Sequence, residues 1–132
     1  MGLEQRFQLA LEQFERALNR LHEVLAQPEN DYMRDATIQR FEFTFEAGWR
    51  AMYRWLRARG VDVDEDAFSS IPEAFKRRLI TDERGWSDMR KFRNLTSHTY
   101  NENMAVEVVG FVRQEGVLLL SSLLARLKET VT

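Results

Sequence analysis

The chain has 132 residues, of which 44% are hydrophobic and 30% charged, a balance that suits one domain with a buried core and excludes a disordered polymer. Nineteen Lys and Arg against 21 Asp and Glu leave a net charge of −2, which excludes a basic field over the whole molecule and leaves a local basic patch open. The absence of cysteine excludes a disulfide scaffold, a thiolate metal site and a cysteine nucleophile, and two histidines, His22 and His98, leave little for a histidine-rich metal site.

In chain order the first sixteen residues interleave acidic, basic and apolar side chains, without the basic start, apolar stretch and small-residue cleavage site of a signal peptide. Leu3, Phe7, Ala10, Phe14, Ala17, Leu21 and Val24 follow 4-3-4-3-4-3 spacing, and Leu11, Leu18 and Leu25 widen that stripe into the core face of a first helix, which Pro28 and Asn30 end. A second helix is expected from after Asp31 to Arg59, with Ile38, Phe41, Phe45, Trp49, Met52 and Leu56 inward and Gly60 past its end. Gly60 to Ile71 is the least regular stretch. A short helix follows from about Pro72 to Ile80, carrying Ala74, Phe75 and Leu79, with Ser70 as its cap. A fourth helix places Trp86, Met89, Arg93, Thr96 and Tyr100 on one stripe. The last runs from about Met104 to Leu127 with Val108, Val112, Leu119, Leu123 and Leu127 inward. Its most apolar tract, Val117 to Leu124, is bounded by Glu115 and Arg126 and falls short of the roughly 20 residues that cross a bilayer. No run alternates with period two. The expected architecture over residues 1–132 is therefore a single all-α domain, an up-and-down four-helix bundle with an extra short helix, with no membrane span and the cytoplasm as its compartment.

Three features bear on chemistry. Asp62, Asp64 and Asp66, with Glu73 eleven residues after Asp62, have the acidic spacing of a calcium loop, but Ala67 stands where the sharp turn wants glycine and Pro72 precedes the would-be bidentate glutamate, so this stretch reads as an exposed acidic connector. The aromatic cluster of the second helix falls mostly on the core face and reads as packing rather than a base-stacking platform. Phe43, Tyr53 and Trp55 lie off that stripe and are expected at a subunit contact. The third feature is the run Arg93-Asn94-Leu95-Thr96-Ser97-His98-Thr99-Tyr100-Asn101, which concentrates hydrogen-bonding side chains around one permanent cation and one imidazole. Successive helical residues turn by about 100°, so Arg93 and Tyr100 share a face, whereas Arg93 and His98 diverge by about 140° in an unbroken helix. The two converge on one phosphate if the helix loosens near Ser97 and Thr99, or if two copies meet across a symmetry axis. The alternative is purely structural: Arg93 pairs with a carboxylate and His98 caps a helix end.

Arg93, four intervening residues and then His98-Thr99-Tyr100 resemble the R-x4-H-x-Y signature of the HEPN superfamily. Asp35 to Glu46 (DATIQRFEFTFE) is similar to the second-helix motif of its nucleotidyltransferase substrate-binding branch. Arg93 to Glu102 is similar to the branch's fourth-helix block, with Trp86 and Met89 leading into it; the resemblance spans roughly Leu3 to Leu127. It implies an all-helical bundle that forms a two-fold homodimer with the motif near the dimer interface, and a minimal nucleotidyltransferase as partner. It also implies a metal-independent endoribonuclease toxin without a cofactor, neutralised by that partner, in some systems through AMPylation of the motif tyrosine, here Tyr100. The alternative that the resemblance carries is a non-catalytic substrate-binding subunit of a two-protein nucleotidyltransferase. On the catalytic reading, an imidazole such as His98 moves protons near neutral pH and Arg93 offers a planar fork to the phosphate. Asn94, Ser97 and Tyr100 orient substrate, and the basic residues Arg84, Arg90 and Lys91 attract RNA.

Overall fold

The computed structural model describes residues 1–131, and within them every regular element is helical. Helix α1 (Leu3–Leu25) and helix α2 (Asp31–Ala58) are joined by a five-residue link and pack as antiparallel neighbours, the most extensive contact in the molecule. Asn30 starts α2 by accepting a hydrogen bond from the Met33 amide at 2.9 Å. Gly60, at φ 79°, follows the end of α2 in the left-handed region that a residue without Cβ adopts freely.

Phe7, Phe14, Leu18 and Leu21 of α1 meet Phe41, Phe45, Met52 and Leu56 of α2 in the core, and all six inward positions expected of α2 are buried. Thr44 is also buried. Its hydroxyl lies 2.6 Å from the Arg40 carbonyl and 3.2 Å from the Ala17 carbonyl of α1, so it stays satisfied while two helix backbones run close together.

Helix α3 (Ala67–Lys76) begins five residues ahead of expectation and ends before Ile80. Asp66 caps it, accepting from the Ser69 amide at 2.6 Å; Ser70, the expected cap, is instead buried within the helix. The misleading cue is Pro72, which suits a first helical turn but here lies in the second. There it removes the N–H that would bond the carbonyl of Phe68, a residue on the exposed side. The helix closes when the Leu79 amide bonds back to the Ala74 carbonyl at 2.9 Å, with Arg78 at φ 59°.

Helix α4 (Glu83–Leu95) is capped by Asp82, which accepts from the Gly85 amide at 2.8 Å. A 3-10 turn, Thr96–His98, follows directly. Helix α5 (Glu102–Phe111) is capped by Asn101 and runs through a π turn at Val112–Gly116 into helix α6 (Val117–Glu129). The sequence pattern implies one uninterrupted α-helix here. The wide turn takes up an extra residue, so the buried series steps from Val112 to Val117 and then to Leu120, Leu123 and Leu127. Leu119, expected inward, is consequently only half-buried. The run Glu102–Glu129 is long and apolar enough to cross a membrane by length and composition alone, yet this buried series serves the bundle core.

The acidic connector does not gather around a point. Asp62 pairs with Arg57 at 3.5 Å, Glu65 with Arg54 at 3.4 Å, Asp66 caps α3, and Glu73 pairs with Lys76 and Arg77. Of the off-stripe aromatics, Phe43 is half exposed and Tyr53 partly buried. Trp55 departs from its expected place at a subunit contact: it is 7% exposed, packed into the chain's own core, with the Arg59 guanidinium 4.0 Å from its ring centroid.

Candidate functional site

The site is built where the end of α4 passes the middle of α2. Glu42 and Glu46, one turn apart on α2, point to α4, and Arg93 in the last turn of α4 reaches between them. Its Nη1 lies 3.4 Å from Glu42 Oε2 and its Nη2 3.5 Å from Glu46 Oε1. Arg93 Nη1 also donates to Thr96 Oγ1 at 2.9 Å, and that hydroxyl lies 3.0 Å from Glu42 Oε2 and 2.7 Å from the Arg93 carbonyl. Glu46 in turn accepts from the indole of Trp49 at 3.0 Å. The guanidinium is thus fixed from three sides, while its Nε is buried without a partner among the described residues.

This geometry includes the carboxylate pairing that the structural alternative requires of Arg93. It also identifies three contributors absent from the nine-residue motif or unassigned within it. Glu42 and Glu46 are one turn apart on the motif-like stretch of α2, a spacing visible in the sequence. Thr96 is buried at 6% exposure and turns its hydroxyl to the arginine rather than to solvent.

The backbone leaves α-helical geometry at Thr96, in the region where the sequence allows a loosening. Side chains there bond back to the chain that precedes them: Ser97 Oγ to the Asn94 carbonyl at 3.0 Å and Thr99 Oγ1 to the Thr96 carbonyl at 3.1 Å. Arg93 and Tyr100 therefore do not continue one α-helical stripe, contrary to expectation. Arg93 is only partly exposed, whereas Tyr100 is 87% exposed. His98 is exposed, does not cap a helix by its side chain, and meets Tyr100 edge-on with ring centroids 6.2 Å apart. Asn94 and Ser97 are exposed on the same side of the chain end, and Asn101 is the α5 cap, accepting from the Met104 amide at 3.3 Å. The arrangement is an anchored cation followed by a solvent-facing imidazole and phenol. It can hold an anion and offer it a group that accepts or donates a proton.

The family described as nucleotidyltransferase substrate binding protein like matches residues 5–129. A probable ribonuclease HepT from Haemophilus influenzae is 35% identical over 91 residues, covering 66% of this chain and 61% of that relative, less than two thirds of its length. A crystal structure of a Thermus thermophilus protein superposes with a TM-score of 0.78 at 35% identity, over 87% of this chain and 98% of the other. The helical architecture, the R-x4-H-x-Y motif on it and the match along nearly the whole chain place this protein in the nucleotidyltransferase substrate-binding branch of the HEPN superfamily.

Proposed function

We propose that this protein is a metal-independent endoribonuclease that acts as a two-fold homodimer in the cytoplasm and is held in check by a minimal nucleotidyltransferase. The observation that carries the reading is the break at Thr96, which leaves His98 and Tyr100 in solvent on the turn that follows an already immobilised cation. Similarity to a relative named a probable ribonuclease supports the same chemistry.

In the proposed reaction the ribose 2′-oxygen attacks the adjacent phosphorus as one imidazole takes its proton. The bond to the 5′-oxygen breaks, and a second imidazole protonates that leaving oxygen. The products are a 2′,3′-cyclic phosphate and a 5′-hydroxyl. One chain supplies one His98, and His98 of the partner subunit supplies the other. Arg93 stabilises charge on the phosphorane by its cationic charge and through the Nη2 N–H that Glu46 leaves free; Glu42, Glu46 and Thr96 set its orientation. Asn94 and Ser97 are placed to orient the strand. Tyr100 is open to modification by the transferase, and an attached AMP brings phosphate charge to the place where substrate phosphate sits.

A second reading, a non-catalytic subunit that presents substrate to a nucleotidyltransferase, is favoured by the family's description and by the two carboxylates already on Arg93. Digestion of RNA in chelator separates the two. The wild-type protein is expected to leave 2′,3′-cyclic phosphate ends, and His98→Ala to leave RNA intact. Cleavage by His98→Ala at the wild-type rate overturns the catalytic reading. Light scattering is expected to give twice the chain mass; a monomer removes the two-imidazole mechanism.

A further inference from the structure

The chain as a whole is acidic, but between Lys76 and Arg93 it carries seven cations against three carboxylates. Arg78, Arg84, Arg90 and Lys91 form no ion pair among the described residues, whereas Arg93 is held by Glu42 and Glu46. Arg90 lines a cleft of about 370 Å³ between α3 and α4 together with Pro72, Phe75, Lys76, Trp86 and Ser87, with Glu83 as a carboxylate on its wall, and Lys91 follows Arg90 on α4. Phe68 stands beside the cleft at 72% exposure, and the Arg90 guanidinium lies 5.2 Å from its ring centroid. Phe68, Pro72 and Phe75 follow the i, i+4, i+7 spacing of one helical face, and all three are exposed, so α3 turns an apolar stripe outward beside unpaired arginines.

The same cleft connects to the motif. Ser87, Arg90, Lys91 and Asn94 lie along one side of α4, and the chain passes from Asn94 directly to Ser97 and His98. Seven helical steps carry that track about 10 Å, a length suited to about one or two nucleotides of extended strand. Exposed aromatics give faces on which bases stack whatever their identity, and unpaired arginine and lysine hold the intervening phosphates.

We propose that the α3–α4 cleft is an accessory binding site for single-stranded RNA. A base stacks on Phe68 with Phe75 beside it, Arg90 and Lys91 hold the flanking phosphates, and the strand is delivered along α4 to His98. The site deepens the ribonuclease reading and rests on it. It accounts for a large exposed phenylalanine and a run of unneutralised cations that the core does not use.

The test compares an RNA of about twelve nucleotides, within the site sizes of single-strand binders, with a dinucleotide that spans only the scissile bond. Affinity for the longer RNA is read by fluorescence anisotropy in the His98→Ala protein, and cleavage of both RNAs is read in the protein with His98 intact. Phe68→Ala and Arg90→Ala are expected to weaken binding of the longer RNA by roughly five- to a hundredfold, as loss of one stacked base does, and Phe68→Ala retains dinucleotide cleavage. Phe68→Trp restores binding, and Phe68→Leu, which keeps the apolar bulk, does not. Arg90→Ala also lowers the salt dependence of binding by about 0.7 in the slope of log affinity on log salt.

Unchanged affinity in both alanine variants, with RNA cleavage intact, overturns the cleft and leaves the ribonuclease reading standing. Binding of the longer RNA that is lost in the variants, with no cleavage by the wild type, supports the cleft and overturns catalysis. A wild type that neither binds nor cleaves overturns both. A Phe68→Ala protein with altered mass in light scattering and wild-type RNA affinity makes this face a protein contact and overturns the proposal.

Discussion

Helices α1 and α2 and the segment from Arg93 to Asn101 place their side chains in opposite ways. In the helix pair, apolar residues recur at helical spacing and most are buried, although Leu3, expected on the inner stripe of α1, is exposed at the helix start; polar side chains such as Thr44 enter only with their hydroxyls bonded to backbone carbonyls. In the motif segment, polar residues bend the chain out of the helix, and His98 and Tyr100 are left without cover. Burial of apolar area fixes the first region, at about 25 cal/mol for each Å² removed from water, whereas local hydrogen bonds and one ion cluster fix the second. The difference separates two ways of holding side chains: apolar burial fixes the helix pair, and on the proposed function the reacting groups stand on a helix end shaped by local hydrogen bonds.

The sharpest way to break that contrast is to exchange the costs. Phe14 is fully buried, and its ring lies so close to α2 that a Cβ on Gly48 would meet Phe14 Cε1 at 3.3 Å. Phe14→Ala is expected to lose about 3–5 kcal/mol in urea denaturation, since the rigid helix pair cannot collapse into the cavity. His98→Ala, at an exposed position edge-on to the likewise exposed Tyr100, is expected to stay within about 0.5 kcal/mol while abolishing RNA cleavage. Comparable stability losses from the two would show that the motif segment is part of the folding core.

Arg93 belongs to both regions and sharpens the distinction further. Arg93→Ala is expected to slow cleavage by about 10² to 10³-fold, the range for removing one transition-state donor. It also leaves Glu42 and Glu46 facing each other without a cation, at an expected cost of about 1–3 kcal/mol. Adding Glu42→Gln and Glu46→Gln to Arg93→Ala is expected to recover stability and not activity. Recovery of activity in that triple variant would reduce Arg93 to a counter-ion for the two glutamates.

The same division explains what could be read from the sequence. The inward residues of α1 and α2 are legible because a stripe at helical spacing has one physical solution, burial against another stripe. The α3 boundaries are not, because Asp66 and Ser70 both qualify as caps and Pro72 argues for the later start. The π turn is also hidden: Val112 and Val117 are five apart, a spacing that an α-helical template does not count. At the site, the motif marks Arg93, His98 and Tyr100, but the clamp on Arg93 comes from α2, 47 and 51 residues away in the chain, and no local pattern announces such a pairing. Trp55 is misplaced because one residue's angular offset from a stripe does not reveal that α2 is covered on more than one side.

A smaller effect is expected at the start of α4, the helix that carries Arg93. A Cβ on Gly85 would stand 2.6 Å from Asp82 Oδ2 and 3.0 Å from Leu119 Cδ1, so Gly85→Ala has to push away the carboxylate that caps the helix. The expected loss is about 1 kcal/mol, the worth of one N-cap, with faster amide exchange in the first turn of α4 and unchanged exchange in α1 and α2. Unchanged exchange in α4 would mean that the cap re-forms around the methyl group.

The smallest effect is a pH dependence confined to α3. Glu73 accepts hydrogen bonds from Arg77 and, at 3.3 Å, from Lys76. The Arg77 hydrogen bond, and after it the one from Lys76, holds the Glu73 carboxyl below its ordinary value of 4.5. A carboxylate depressed in the folded state adds stability that is present above the unfolded value and is lost as the pH falls through the folded one. Acidification below about pH 4.5 is therefore expected to loosen the last turn of α3 and free Lys76 and Arg77, with only a slight fall in overall melting temperature because the pair faces water. Glu73→Gln removes the titrating group, so the difference in melting temperature between wild type and variant should be largest near neutral pH and close towards pH 3. A difference that stays constant over that range would show that Glu73 acts on α3 through its shape and not its charge, and that α3 owes its position to Ile71, Ala74 and Leu79, which pack inward, as α1 and α2 owe theirs to their buried stripes.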